Sequence, residues 1–255
     1  MAEARPDYVQ SLERGLRVLT TFSAEAPELS LSDVARRTGL KRATSRRILL
    51  TLEELGYVAS NGRRFSLRPR ALDVGYAYLS TMPVAEIAIP FMEELSRHFN
   101  ESSSVAVLDG TDIVYIARVQ ANRIMSINLA VGSRLPAYAT SMGRVLLAWL
   151  TPVELDAYFA TARLATLTER TVAREERLRE ILAEVRARGW ALTDQELEDG
   201  VRSVAAPLLA RDRRAVAAMN MSTHAGRVSL ARLRDEFVPR LLEAAEGVSR
   251  ALRSR

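Results

Sequence analysis

Apolar residues in the first quarter of the chain recur at helical spacing and then switch to a strand's alternation. Val9, Leu12, Leu16, Leu19 and Phe22 predict an amphipathic helix whose apolar side packs into a core. A loop with Pro27 follows. A short helix is then expected to begin near Ser32, a good N-cap, with Asp33 in the first turn where negative charge suits the dipole. Gly39 should end it, because glycine tolerates the left-handed conformation. A second helix is predicted over Arg42 to Leu55. At about 100° per residue, Ser45, Ile48, Leu49, Leu52 and Leu55 share the inward side. Ala43, Arg46, Arg47 and Leu50 share the opposite side, flanked by Arg42 and Thr44. Tyr57 to Ala59 and Arg63 to Leu67 then read as a hairpin around Asn61-Gly62, a dipeptide that suits positive φ at both turn positions.

Helix, turn, helix and hairpin over Leu31 to Gly62 predict a winged helix-turn-helix, which lays its second helix in the major groove of DNA. The expected contacts are Lys41, Arg42, Ala43, Thr44, Arg46 and Arg47 on that helix, and Arg63 and Arg64 on the wing. Arginines there can read guanine edges or hold phosphate. They could also form nothing more than a solvated face, and the charge distribution argues against that. Residues 36–70 hold ten Lys/Arg against two acids, whereas residues 1–35 hold three basic and six acidic residues. Residues 1–70 therefore carry +5, the net charge of the whole chain, and the remainder is neutral. The basic excess sits on the module that needs it for double-stranded DNA.

Pro69 opens a predicted linker helix over residues 70–79, of a kind that often dimerises, and Met82-Pro83 closes it. From Val84 the pattern changes. A helix with Pro90 inside should bend or restart there. Strands are predicted at residues 103–108, 113–119 and 123–129, with a loop at 132–136 and an amphipathic helix over 140–150. Thr151-Pro152-Val153-Glu154 is a capping box with proline at the first helical position. A charged helix over 173–188, a strand at 190–193, an acidic loop at 194–200, strands at 201–208 and 216–222, and a last helix over 228–252 complete the chain. The expected organisation is an α+β protein: a winged helix at 8–68, a linker helix at 69–82, and a second domain at 83–255 with a mixed or antiparallel sheet.

Composition narrows the setting. The 255 residues contain no cysteine, which excludes disulfides and thiolate metal sites and fits a reducing cytoplasm. Met1 to Pro6 is polar, so no signal peptide is expected, and no apolar run is long enough for a membrane span. Ser141 lacks a nucleophile-elbow frame, and His98 and His224 have no sequence-local partner, so an enzyme is not expected. No glycine-rich phosphate loop and no metal-ligand spacing are present, so no cofactor or metal is expected.

Three stretches carry a family likeness. Val9 to Leu19 with the winged helix after it, Leu135 to Ala148 (LPAYATSMGRVLLA), and Glu196 to Pro207 (ELEDGVRSVAAP) together resemble the IclR family of bacterial transcriptional regulators, over essentially the whole chain and in the right order. The first two segments look closest to the branch regulating protocatechuate and 4-hydroxybenzoate catabolism. The resemblance implies a GAF-like effector-binding domain, a homodimer that can pair into a dimer of dimers, and a small organic, aromatic acid as effector. Carried over by motif, the effector would meet Ile124, Ile127, Leu135, Ser141, Met142, Thr193, Asp194, Ser203, Asn220 and Ser222. The residues by themselves agree in part. Ser141-Met142-Gly143 opens a helix, where free N–H groups favour an anion. Ser203, Asn220 and Ser222 are polar residues in apolar strands, though local backbone bonding would also account for each serine, and Ile124, Ile127 and Leu135 read as core. The alternative is an architectural DNA binder whose second domain only oligomerises.

Overall fold

The computed structural model describes residues 7–121 and 129–254. The chain divides into two compact units that meet at Thr81 and Met82.

The first unit is a winged helix-turn-helix. Helix α1 (Gln10–Leu19) leads to strand β1 (Glu28–Ser30), α2 (Leu31–Thr38), α3 (Arg42–Glu54), and strands β2 (Val58–Ser60) and β3 (Arg64–Leu67). Val18, Phe22, Leu29, Val34, Leu49, Leu52 and Val58 form its core. Helix α2 starts earlier than the serine at 32 suggested. Ser30 is the cap, because its hydroxyl accepts the Asp33 N–H while the Asp33 carboxylate accepts the Ser30 N–H. Gly39 ends the helix at φ 67°. The wing has three strands rather than two, ordered β1-β3-β2 and antiparallel, since the residues just before α2 pair with β3. Its turn places only Gly62 at positive φ. Asn61 instead accepts the Arg63 and Arg64 N–H groups on its side-chain oxygen.

Two apolar expectations fail here. Val9, Leu12 and Leu16 are 61%, 62% and 53% exposed, and Leu55 is exposed as well. The reason for α1 is angular. At about 100° per residue Val18 lies across the helix from that stripe, and the core takes Val18. A 3₁₀ turn (Pro69–Ala71) leads into α4 (Leu72–Ser80), which has no buried residue.

The second unit begins with α5 (Pro83–Phe99), which runs through Pro90 without restarting. Strands β4 (Ser102–Asp109) and β5 (Asp112–Val119) form a hairpin, followed by β6 (Arg134–Pro136), α6 (Ser141–Ala148), α7 (Pro152–Thr161), α8 (Glu175–Arg188), β7 (Ala191–Asp194), β8 (Val201–Leu209) and β9 (Ala215–His224). The antiparallel sheet is ordered β6-β5-β4-β9-β8-β7. The expected loop at 132–136 contains β6, which lies on the edge beside β5 with Leu135 opposite Ile113. The strand expected at 123–129 falls almost wholly outside the described residues.

The last helical segment comes in three parts: α9 (Leu230–Arg232), a π-helical stretch (Leu233–Phe237) and α10 (Val238–Arg253). Pro239 lacks an N–H and its ring would crowd the carbonyl four residues back, and a wide turn before it relieves both problems. Met142, Val145, Leu146 and Leu147 of α6 pack on Ala106, Ala205 and Ala218 of the sheet, with Leu182 and Val185 of α8 behind them. Helices α5 and α10 pack on each other and on the strands from the opposite face. No described helix is long and apolar enough to cross a membrane.

Candidate nucleic-acid interface and ligand cavity

Helix α3 presents the face that its sequence implies. Ser45 and Leu49 are buried, whereas Lys41, Arg42, Ala43, Arg46 and Arg47 are exposed and Thr44 is half-buried. Arg63 and Arg64 are exposed on the wing. Leu50 stays 41% exposed on the arginine side of the helix. Other parts of the basic excess are used internally. Arg36 pairs with Asp33 at 2.7 Å, and Arg70 donates to the Leu55 carbonyl at 2.8 Å while lying over the Tyr57 ring.

In the second unit the decisive local feature is the start of α6. Thr140 caps it, its hydroxyl accepting the Gly143 N–H at 3.1 Å. Gly143 must be glycine, because a Cβ there would stand 2.1 Å from the Ala137 carbonyl oxygen. The first turn is thereby pressed against the residues just before it. Ser141 and Met142, whose N–H groups an α-helix leaves without an internal partner, line a cavity of about 360 Å³.

The sheet supplies the floor. Register places Thr193 opposite Ser203, Ser203 opposite Ser222, and Ser222 opposite Ser102. Asn220 stands in the neighbouring row, opposite Ser104, which is itself opposite Arg118. Residues opposite one another share a face, so a line of polar side chains underlies α6. Ser141 Oγ and Ser203 Oγ are 2.7 Å apart, and Ser203 Oγ and Thr193 Oγ1 are 2.9 Å apart. Asn220 is only 4% exposed, yet its Oδ1 has no partner. That buried acceptor on the cavity wall can take a hydrogen bond from a ligand.

Seven of the ten residues expected at the effector site line this one cavity: Leu135, Ser141, Met142, Thr193, Ser203, Asn220 and Ser222. Asp194 does not, which corrects the expectation. Strand alternation points it away from its neighbour Thr193, and its carboxylate is paired with Arg202 and, at 3.0 Å, with Arg170. Burial alone would raise the Asp194 pKa, but hydrogen bonds from Arg202 and Gln195 outweigh it and hold the group below its ordinary value. Ile124 and Ile127 lie outside the described residues.

Sequence reasoning missed several wall residues. Tyr115 lines the cavity, and burial pushes its hydroxyl up to about 12. The period-2 pattern of β5 could have found it, since it shares a face with Ile113. Thr140, Leu197, Glu198 and Val201 were also missed. A second chamber of about 560 Å³ shares Tyr115, Leu129, Glu198, Val201 and Ser222 with the first. It holds Arg118, whose guanidinium donates to Ser104 Oγ at 3.3 Å and whose pKa burial lowers.

The acidic loop between β7 and β8 forms one wall and is strapped from outside. Thr168 Oγ1 donates to the Gln195 carbonyl at 2.7 Å and Thr171 Oγ1 to the Glu196 carbonyl at 2.6 Å, while Gln195 holds a φ of 60°. Neither histidine lies on the cavity, and no group of His, Asp and Glu among the described residues could hold a metal. The geometry binds and orients.

Comparison with known proteins joins the two halves. The model of the IclR helix-turn-helix domain matches residues 11–62, and that of the bacterial transcriptional regulator IclR C-terminal region matches residues 76–250. The chain belongs to the IclR family of bacterial transcriptional regulators. The Pca regulon regulatory protein of Pseudomonas putida is 43% identical over 248 residues, covering 97% of this chain and 85% of that protein. A transcriptional regulator of Rhodococcus sp. RHA1 has the same fold with a TM-score of 0.86 at 51% identity, covering 96% of this chain and 98% of the other. An IclR homologue from Microbacterium hydrocarbonoxydans, solved in complex with 4-hydroxybenzoate, has a TM-score of 0.84 at 24% identity, covering 96% and 100%. That last likeness speaks for the fold alone. As an IclR-family regulator the chain is a DNA-binding protein and not an enzyme.

Proposed function

We propose that this regulator binds a small aromatic acid in the α6 cavity and that occupancy alters operator binding by α3. The observation that carries this reading is the pairing, in one cavity, of a helix N-terminus with the buried, unpartnered Oδ1 of Asn220. The carboxylate would take the Ser141 and Met142 N–H groups; the polar floor would orient the rest. An aromatic acid is favoured by a relative, the PobR inducer-binding domain from Acinetobacter, 31% identical and solved with 3-hydroxybenzoic acid. On the DNA side, Arg42, Arg46 and Arg47 would enter the groove, with Lys41, Ala43 and Thr44 beside them and Arg63 and Arg64 on the backbone.

The exposed stripe of Val9, at the N-cap of α1, with Leu12 and Leu16 on that helix and Leu72, Val74 and Tyr76 on α4, supports a homodimer, since apolar patches of this kind are normally covered. A two-fold dimer would read repeated half-sites.

A thermal-shift screen of aromatic acids tests the reading. A true effector should stabilise the protein by about 2.7 kcal/mol at a hundredfold excess over its dissociation constant. It should also change the affinity for operator DNA by the same factor that DNA changes the affinity for it. Operator binding that no acid alters would favour the architectural reading, in which the second domain only oligomerises.

A further inference from the structure

The exposed face of α3 is not uniformly basic. At about 100° per residue, Ala43 lies about 20° from the line of Leu50, while Arg46 and Arg47 lie about 40° to one side of it and about 60° to the other. All four are exposed. The face therefore has an apolar ridge down its middle and a guanidinium on each flank. Ala43 is short and lets the helix approach a surface closely. Leu50 is long and 41% exposed. The next residue along the same face is Glu54, exposed and about 40° from Leu50. A carboxylate there repels phosphate, so the part of the face that suits DNA ends at Leu50.

Leu50 is not spent on the fold. Leu49 and Leu52 are buried in the core of the winged helix, and Ile48, Tyr57 and Phe65 pack against it. Leu55, at the C-cap and also exposed, lies about 140° round the helix, so the two leucines do not make one apolar patch. An apolar side chain set between arginines has one match in the major groove. The base edges there offer hydrogen-bonding groups and a single kind of methyl, that on C5 of thymine.

We infer that Leu50 reads the C5-methyl of a thymine in each operator half-site and so sets the sequence preference at that base pair. The inference rests on the reading that α3 enters the major groove, and it adds the residue and the base. Leu50 lies about 4.5 Å along the helix from Arg47 and about 6 Å from Arg46. Its thymine should thus fall within about two base pairs, at about 3.4 Å each, of the pairs that those arginines face.

The test begins with selection of preferred sites from a randomised duplex library by the full-length protein. In the selected duplex each thymine is replaced, in both half-sites together, by deoxyuridine, which lacks only the methyl. Affinity is read by fluorescence anisotropy at fixed salt. One thymine position should respond, with a loss of about fourfold per half-site, the worth of one buried methyl. Leu50→Ala should bind the unmodified duplex more weakly and be indifferent to deoxyuridine at that position. Its affinity for random duplex should match wild type, because Leu50 carries no charge to hold phosphate, whereas a folding defect would lower both. Leu55→Ala should keep the full response. Sensitivity to deoxyuridine at no position, or undiminished sensitivity in Leu50→Ala, overturns the inference and leaves α3 in the groove. A library that yields no preferred sequence overturns both.

Discussion

The Arg144 guanidinium and the Glu196 carboxylate form a two-pronged ion pair inside the second unit, with side chains only 2% and 10% exposed. Each partner also makes a further hydrogen bond. Arg144 Nε donates to the Tyr138 carbonyl at 3.0 Å, and Glu196 accepts the Val172 N–H at 3.2 Å. The pair ties α6, whose first turn faces the cavity, to the loop whose Leu197 and Glu198 form its wall.

Removing one partner strands the other. Arg144→Met should cost about 3–5 kcal/mol, because it leaves a buried carboxylate without its counter-charge. Trp149 and Trp190, the chain's two tryptophans, both lie in the second unit, so their fluorescence in a urea titration reads that unit by itself. A midpoint within experimental scatter of wild type would mean that the pair contributes nothing net.

Gly143 permits no side chain. Gly143→Ala would place a methyl 2.1 Å from a backbone oxygen, which can yield only if the first turn of α6 shifts. The expected cost is about 1–3 kcal/mol of stability, together with weaker ligand binding because the Ser141 and Met142 N–H groups move. Wild-type affinity in a folded Gly143→Ala protein would place the ligand elsewhere.

The role of Arg46 can be read from salt dependence. If it reads bases, Arg46→Ala should cost about 1–3 kcal/mol on the operator and little on random DNA. If it holds phosphate, both should weaken together and the slope of log affinity against log salt should fall by about one. Unchanged operator affinity in Arg42→Ala/Arg46→Ala at moderate salt would remove α3 from the groove.

Asp194 predicts an acid limit. Its folded pKa lies below the ordinary 3.8, so it adds stability that is complete above that value and is lost as pH falls through the lower folded one. Between pH 5 and pH 3 the wild-type melting temperature should therefore drop further than that of Asp194→Asn. Equal losses would show that the bonds from Arg202 and Gln195 do not stabilise the ionised form.

Much of this protein was legible along the chain. Gly39, the Thr151–Glu154 capping box and the alternation of β4, β5, β8 and β9 are local features, and local hydrogen bonding and periodicity specify them. The misreadings share one cause. Val9, Leu12 and Leu16 have a helical period, but a period gives a stripe and not the direction it faces. Strand β6 is three residues long and exists only because β5 pairs with it. Asp194 and Thr193 are neighbours in sequence, and the pleat sends only one of them into the cavity.

The sequence by itself determined the two-unit order, the basic exposed face of α3 and the polar residues scattered through the last strands, because charge and periodicity are properties of the chain. Only the tertiary structure decided that Ser141, Thr193 and Ser203, up to 62 positions apart, form one run of hydroxyls. Sheet register and the close packing that Gly143 allows bring them together, and neither can be read from residues one at a time.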